Sequence, residues 1–446
     1  MFDYSSERLQ EIAADVLGAA RRIGASDAAV DVSESSGLAV NVRMGSVETI
    51  EQTRDKGVGV TVYVGKRRGH ASTSDFSAKA LHDAVDAAYQ IARHTGEDDC
   101  AGLPDADTLA REILDFDLFH PWDITVDGAI DLARRVEGAC FDTSPLIRNS
   151  EGASVNVSHG HFITANSLGF SGGYPYSRHS IGCAPIAERR GAMQRDDWYT
   201  ASAVPARLAD PEVLGRYAAE RALARLGARQ LSTRRVPVLF ESPLACGLIG
   251  HFVQAASGGA LYRRSSFLVD ALGRDIFAPH VDIVEDPTIP TESGSGSFDS
   301  EGVATVRRPV VSAGRLNGYF LSTYSARKLG MKTTGNAGGS HNLALTSRLT
   351  RQLDDLPAML KRLGTGLFVT DLMGHGVNYV TGDYSRGASG YWVEGGEIRY
   401  PVEEITIAST LPAMFRGIVA VGSDVILRGS KRTGSILIDE MAVAGA

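Results

Sequence analysis

The chain has 446 residues, 43% hydrophobic and 22% charged, which is ordinary for a globular protein of two or three domains. Its formal net charge of -8 and pI near 5.8 argue against nucleic-acid binding, whose footprint is basic. The clusters Lys66-Arg67-Arg68, Arg189-Arg190, Arg263-Arg264 and Arg307-Arg308 are scattered and read as solvated loop charges.

The first segment, MFDYSSERLQEIAADVL, is acidic and amphipathic, unlike a signal peptide. Leu9, Ile12, Ala13, Val16, Leu17 and Ala20 recur at helical spacing and predict a helix over 6–23, capped by Ser5 or Ser6. Val40 and Val42 alternate with polar neighbours, as do Val58, Val60, Val62 and Val64, and both patterns predict strands. Asp55-Lys56-Gly57 reads as the turn of a hairpin between Val47–Gln52 and the valine run. A second helix is expected over 77–94, with Leu81, Val85, Ala88 and Ile91 on its apolar face, and a third over 126–140. Strands are expected from Ile147 to Val204, then a helix over 211–226. From Val236 the texture turns to short strands, many glycines and few helices, with a flexible polar loop at 291–297. The fold class is therefore α+β in two domains: 1–230, a mostly antiparallel sheet with helices, and 231–446, β-rich and glycine-rich.

No apolar run approaches the roughly 18 residues of a membrane span. Cys100, Cys140, Cys183 and Cys246 lie far apart in sequence without a CxxC pair, which suits reduced thiols and a cytoplasmic protein. His159 and His161 stand two apart in a predicted strand, but a third metal ligand is not evident nearby. Ser325-Ala326-Arg327-Lys328 has the bare SxxK pattern without its companion motifs, so a basic helical turn lining a groove is the better reading. Gly335-Asn336-Ala337-Gly338-Gly339-Ser340 lacks the lysine of a phosphate loop. The glycine density of residues 363–407 suits a surface that holds an extended peptide.

FDSEGV at 298–303, STYSARKLG at 322–330, TGNAGGSHN at 334–342 and TGDYSRGASGYWVEGGEIRYPVEEITIA at 381–408 resemble the TldD/PmbA family, specifically its PmbA branch, also called TldE. DLFHP at 117–121 and GGALYRRSSFLVDALG at 258–273 extend the resemblance to essentially the whole chain. The resemblance implies a cytosolic two-subunit protease acting on unfolded peptides, with links to peptide-antibiotic maturation and to a DNA-gyrase toxin–antitoxin system. In such a pair the catalytic TldD-type subunit carries HExxxH and a distant cysteine around one zinc.

Carried over position by position, the first histidine is Glu241 here, the general base is Ser242, the second histidine is Cys246, and the cysteine is Val369. Valine cannot bind zinc, and serine cannot replace a carboxylate as base. The expectation is a non-catalytic chain without metal or other cofactor, the zinc belonging to a TldD-type partner. Candidate peptide contacts are Tyr324, Arg327, Lys328, Gly335, Asn336, Gly338, His341, Asn342, Gly382, Asp383, Tyr384 and Arg386. Expected partners are the TldD-type subunit and extended peptide, with a homodimer left open for the chain alone; neither nucleic acid nor membrane is expected. Two rival readings stand beside this one. The first is a self-sufficient hydrolase using a metal at Glu241, Cys246 and His251, or a serine mechanism at Ser325. The second is a non-proteolytic regulator that binds gyrase or its antitoxins.

Overall fold

The Ser5 hydroxyl accepts the Arg8 amide at 3.2 Å and starts α1 (Ser6–Arg22) in the computed structural model, which describes residues 2–445. The long strands β1 (Asp27–Arg43) and β2 (Ser46–Val64) follow, then β3 (Arg67–Thr73) and α2 (Ala78–His94), capped by Ser77. After α3 (Val126–Thr143) come β4 (Ile147–Asn166), β5 (Ser171–Gly172), β6 (Pro175–Arg189), β7 (Ala192–Arg195) and β8 (Trp198–Ser202), then α4 (Pro211–Ala224). These eight strands form one antiparallel sheet in the order β3-β2-β1-β4-β6-β7, with β5 paired to β4 and β8 to β6.

Strand alternation divides the two faces of this sheet. Val30, Val32, Val58, Val60, Ile163 and Ala165 point at α1 and α2, and pack with Leu9, Ile12, Val16, Leu81 and Val85. Val40, Val155, Val157 and Ile181 point at α3 and α4, packing with Val136, Leu214 and Ala218. Each buried Leu, Ile or Val of these faces contributes about 1.5–3 kcal/mol by leaving water. The opposite face carries the intervening polar and aromatic residues.

Two expectations are corrected here. Asp55, Lys56 and Gly57 do not turn the chain: they pair with Ser35, Glu34 and Ser33 inside an uninterrupted β2. The turn lies at Met44-Gly45, with φ of 52° and 74°. The Glu137 carboxylate of α3 accepts both of their amides, at 2.9 and 2.8 Å. Ile91 is 47% exposed, and Ala92 takes the buried position instead, because α2 lies rotated against the sheet. His159 and His161 do share the helix-side face, but with separate partners. His161 meets Glu34 at 3.1 Å, and the His159 ring accepts the Trp122 amide at 3.2 Å.

Beyond α4 the chain forms two further sheets. One runs in the order 315–316, 308–312, 281–286, 342–347, 431–433, 426–428. The other begins with β9 (Arg234–Phe240), flanked by Gly366–Met373 and Ile436–Ala444. Asp383–Glu394 and Glu397–Thr410 continue it, and pairing of Thr406 with Ala444 closes a small barrel. α5 (Ser242–Ala255) leaves the end of β9 and buries Ile249 and Phe252 against this barrel, so the region holds more helix than its sequence texture suggests.

Candidate functional site

The face of the N-terminal sheet that no helix covers forms one wall of a groove. Three recesses of about 450, 330 and 300 Å³ share walls along it. The first lies between Asp31, Phe162 and Thr164 of the sheet, Tyr174 just before β6, and the loops 293–300 and 337–341. The second, around Ser158, Tyr176 and Arg178, shares Phe162, Tyr174, Ser293 and Ser295 with the first. The third joins it through Arg178 and Ser293, and ends at Tyr199, Arg207 and the strand end Leu427-Arg428 with Gly429. The loop at 291–297 is tied down on both sides. The Thr291 amide donates to the Phe116 carbonyl at 2.8 Å, and the Gly294 amide to Asn342 Oδ1 at 3.0 Å.

Burial pushes the Asp299 carboxyl up to about 6, although the amides of Glu301, Val303 and Ala337 all donate to it. Crowding by the groove walls also raises Asp31, and a hydrogen bond from Thr164 at 2.6 Å opposes that rise.

At the Arg428 end the groove abuts a buried ionic cluster. Glu241, the residue before α5, accepts two hydrogen bonds from Arg221 of α4, at 2.6 and 3.1 Å. Arg221 also lies 3.3 Å from Asp196, and Arg225 pairs with Asp371 at 3.3 Å while donating to Ser389 at 2.7 Å. Burial opposes the charge on Arg221, but Glu241 and Asp196 outweigh it and lift the guanidinium pKa further. Burial raises the Glu241 carboxyl, and Arg221 pulls it back toward the ionised form. The Trp198 indole separates this cluster from the groove, with Arg221 5.0 Å from its ring and Arg428 4.7 Å.

Ser242 donates to the Asp424 carbonyl at 2.6 Å, and the Cys246 thiol contacts the Lys431 carbonyl at 3.5 Å. Burial pushes the Cys246 thiol up, so it stays protonated. Val369 is fully buried beside β9, and its carbonyl accepts the Glu241 amide at 3.0 Å. His251, held down to about 4 by burial and the charge of Arg386, faces Tyr379 at 2.9 Å instead of Cys246 or Glu241.

Residues 28–92, 119–226 and 233–445 match the models for domain 1, the central domain and the C-terminal domain of the PmbA/TldA metallopeptidases. The chain is 47% identical over 423 residues to the metalloprotease PmbA of Escherichia coli O157:H7, covering 95% of this chain and 93% of that protein. The PmbA homologue of Haemophilus influenzae is 45% identical over 439 residues, covering 98% and 96%. The chain belongs to the PmbA/TldD metallopeptidase family. A solved structure from Bacteroides thetaiotaomicron, described as a candidate modulator of DNA gyrase, shares the fold with a TM-score of 0.92 at 25% identity, covering 99% of this chain and 100% of that one.

The zinc that this family implies does not fit the residues present. Glu241 is spent on Arg221, Cys246 is a protonated thiol against carbonyls, and Val369 offers no donor atom. Among the described residues, no group of three or more His, Cys, Asp or Glu side chains converges on a metal position. Ser325, the other rival nucleophile, is buried and forms a reciprocal cap with Ser322 at the start of the short helix Thr323–Lys328.

The twelve candidate peptide contacts separate into four groups. Gly338 and His341 line the groove. Gly335, Asn336 and Asn342 support its loops: buried Asn336 donates to Glu285 at 2.8 Å, and Asn342 to Ser295 at 2.8 Å. Tyr324 and Lys328 bind Asp98 at 2.7 and 2.8 Å, and Arg327 binds the Leu103 carbonyl at 2.8 Å and Asp105 at 2.9 Å. Those three side chains join segment 98–105 to the C-terminal half. Gly382, Asp383, Tyr384 and Arg386 lie apart from the groove, where the Tyr384 ring meets His251. Sequence reasoning missed Phe162, Tyr174, Tyr176, Arg178, Tyr199 and Arg428. For Phe162, Tyr176, Arg178 and Tyr199 the one signal was alternation along β4, β6 and β8, which marks a solvent-side face without saying what lies across it; Tyr174 and Arg428 lie outside those strands and had none.

Proposed function

We propose that this chain is the catalytically silent, peptide-holding subunit of a cytoplasmic protease, completed by a TldD-type partner that carries the zinc. The observation that carries this reading is the Arg221–Glu241 pair, a buried ion pair at the residue that the resemblance aligns with the first ligand. The groove supports the second half of it: sheet on one side, hydrogen-bonded polar loops on the other, and joined recesses of about 450, 330 and 300 Å³, a size for the side chains of an extended segment and not for a folded domain.

The test is purification of the chain alone and with a TldD-type subunit, followed by metal analysis and cleavage of an unfolded peptide. Little zinc and no cleavage by the isolated chain, with cleavage raised or enabled in the pair, is the expected result. Stoichiometric zinc and autonomous hydrolysis would overturn it.

A further inference from the structure

The two ends of the groove differ in charge. Arg178, Arg207 and Arg428 all line the third recess, and no ion pair among the described residues includes any of them. Arg207 is tethered through its hydrogen bond to Thr291, and Arg428 is stacked over Tyr199 at 4.2 Å. The one carboxylate of that recess, Glu292, is already paired with Arg432. The first recess holds the carboxylates Asp31 and Asp299 beside three aromatic rings. Tyr174 lies 4.8 Å from Phe162 and 5.9 Å from Phe298, ring to ring, and aromatic faces beside a carboxylate attract an ammonium or guanidinium group. Between the ends, Ser158, Tyr176, Ser293 and Ser295 are uncharged.

Register sets the separation. Asp31 is opposite Thr164 and Arg178 is opposite Ser158, on the same strand β4. At about 3.3 Å per residue the charged ends lie about 20 Å apart, or roughly six residues of extended chain. We infer that the groove fixes the direction of a bound peptide, seating an amine or basic side chain at the Asp31–Asp299 end and a carboxylate, about six residues onward, at the Arg178–Arg207–Arg428 end. This rests on the reading of the groove as a peptide track. The direction runs toward Trp198 and the buried Arg221–Glu241 cluster, so the carboxylate side of the substrate approaches the altered ligand positions. Opposed charge at both ends suppresses the reversed pose more than it strengthens the favoured one.

The test uses the full chain and a blocked, unstructured peptide with a mid-chain fluorophore, neutral except for a lysine six residues before a glutamate, together with two forms in which either charged residue is replaced by glutamine. Anisotropy at low ionic strength should show each neutralised form binding about tenfold weaker, with the difference shrinking as salt rises. Arg178→Ala combined with Arg207→Ala should abolish the loss on neutralising the glutamate alone, and Asp31→Asn combined with Asp299→Asn the loss on neutralising the lysine alone, provided circular dichroism confirms each fold. Neutralisation without effect, or the opposite pairing of chain variant and peptide charge, overturns the direction and leaves the groove standing. Binding of none of the peptides overturns the peptide track and the direction together.

Discussion

Arg221 and Glu241 form a two-pronged ion pair, at 2.6 and 3.1 Å, with both side chains about nine-tenths buried. Arg221→Ala leaves a buried carboxylate without its counter-charge and should destabilise the chain by about 3–5 kcal/mol. Arg221→Met combined with Glu241→Leu should recover most of that loss, because apolar replacements remove both desolvated charges together. Urea denaturation of the three variants checks this. Equal stability of Arg221→Ala and the parent would mean that the pair is not buried as described.

Restoring single ligand positions should not restore metal. Val369→Cys or Glu241→His alone is expected to bind no more zinc than the parent, because Arg221 and Asp196 would still fill the neighbouring space. Dialysis against zinc followed by elemental analysis reads this directly.

His251 gives a defined acid limb. Burial and Arg386 hold it near 4, while an unfolded histidine titrates near 6.5. Between those values the unfolded chain binds the proton and the folded chain does not. Its contribution to stability is therefore complete above about 6.5 and is lost as pH falls toward 4. His251→Gln should flatten that part of the stability–pH curve, measured as Tm from pH 7 to pH 4.

Asp98 works over a lower range. Hydrogen bonds from Lys328 and Tyr324 hold its carboxyl down to about 2, against about 3.9 in an unfolded chain. The stabilising contribution is present above the unfolded value and disappears as pH falls through the folded one. Lys328→Ala should move the Asp98 titration upward in a carboxyl-detected NMR experiment, with little change in Tm at neutral pH.

Gly338 adopts φ of 96°, and a Cβ there would lie 2.4 Å from Ser300 Oγ. Gly338→Ala should cost about 1–3 kcal/mol of stability and weaken peptide binding in the first recess. Calorimetry and anisotropy on the same sample separate the two effects.

The helices were legible because their signals are local: Ser5 and Ser77 cap, and the apolar spacing of α1 matches the residues buried there. The first hairpin was misread for the opposite reason. Asp55-Lys56-Gly57 has turn composition, yet the strand runs through it, and the real turn at Met44-Gly45 is held by Glu137 from a helix far along the chain. The resemblance singles out Glu241, but the guanidinium that pairs with it comes from α4, which no pattern around Glu241 announces. The groove was hidden because it depends on what faces β4 and β6 across space. Arg327 and Lys328 read in sequence as a basic helical turn lining a groove, and in the fold they hold Asp105 and Asp98.

Phe240 of β9 is flanked by Val369 on one side and Ile436 on the other, partners drawn from distant stretches of chain. A nascent polypeptide that has emerged only as far as Arg416 therefore presents β9 with a raw, unpaired flank. Such long-range closure is slow, and the waiting edge invites intermolecular pairing. Production at reduced temperature, or with a holdase chaperone in excess, should raise the soluble yield more than any change to the N-terminal half.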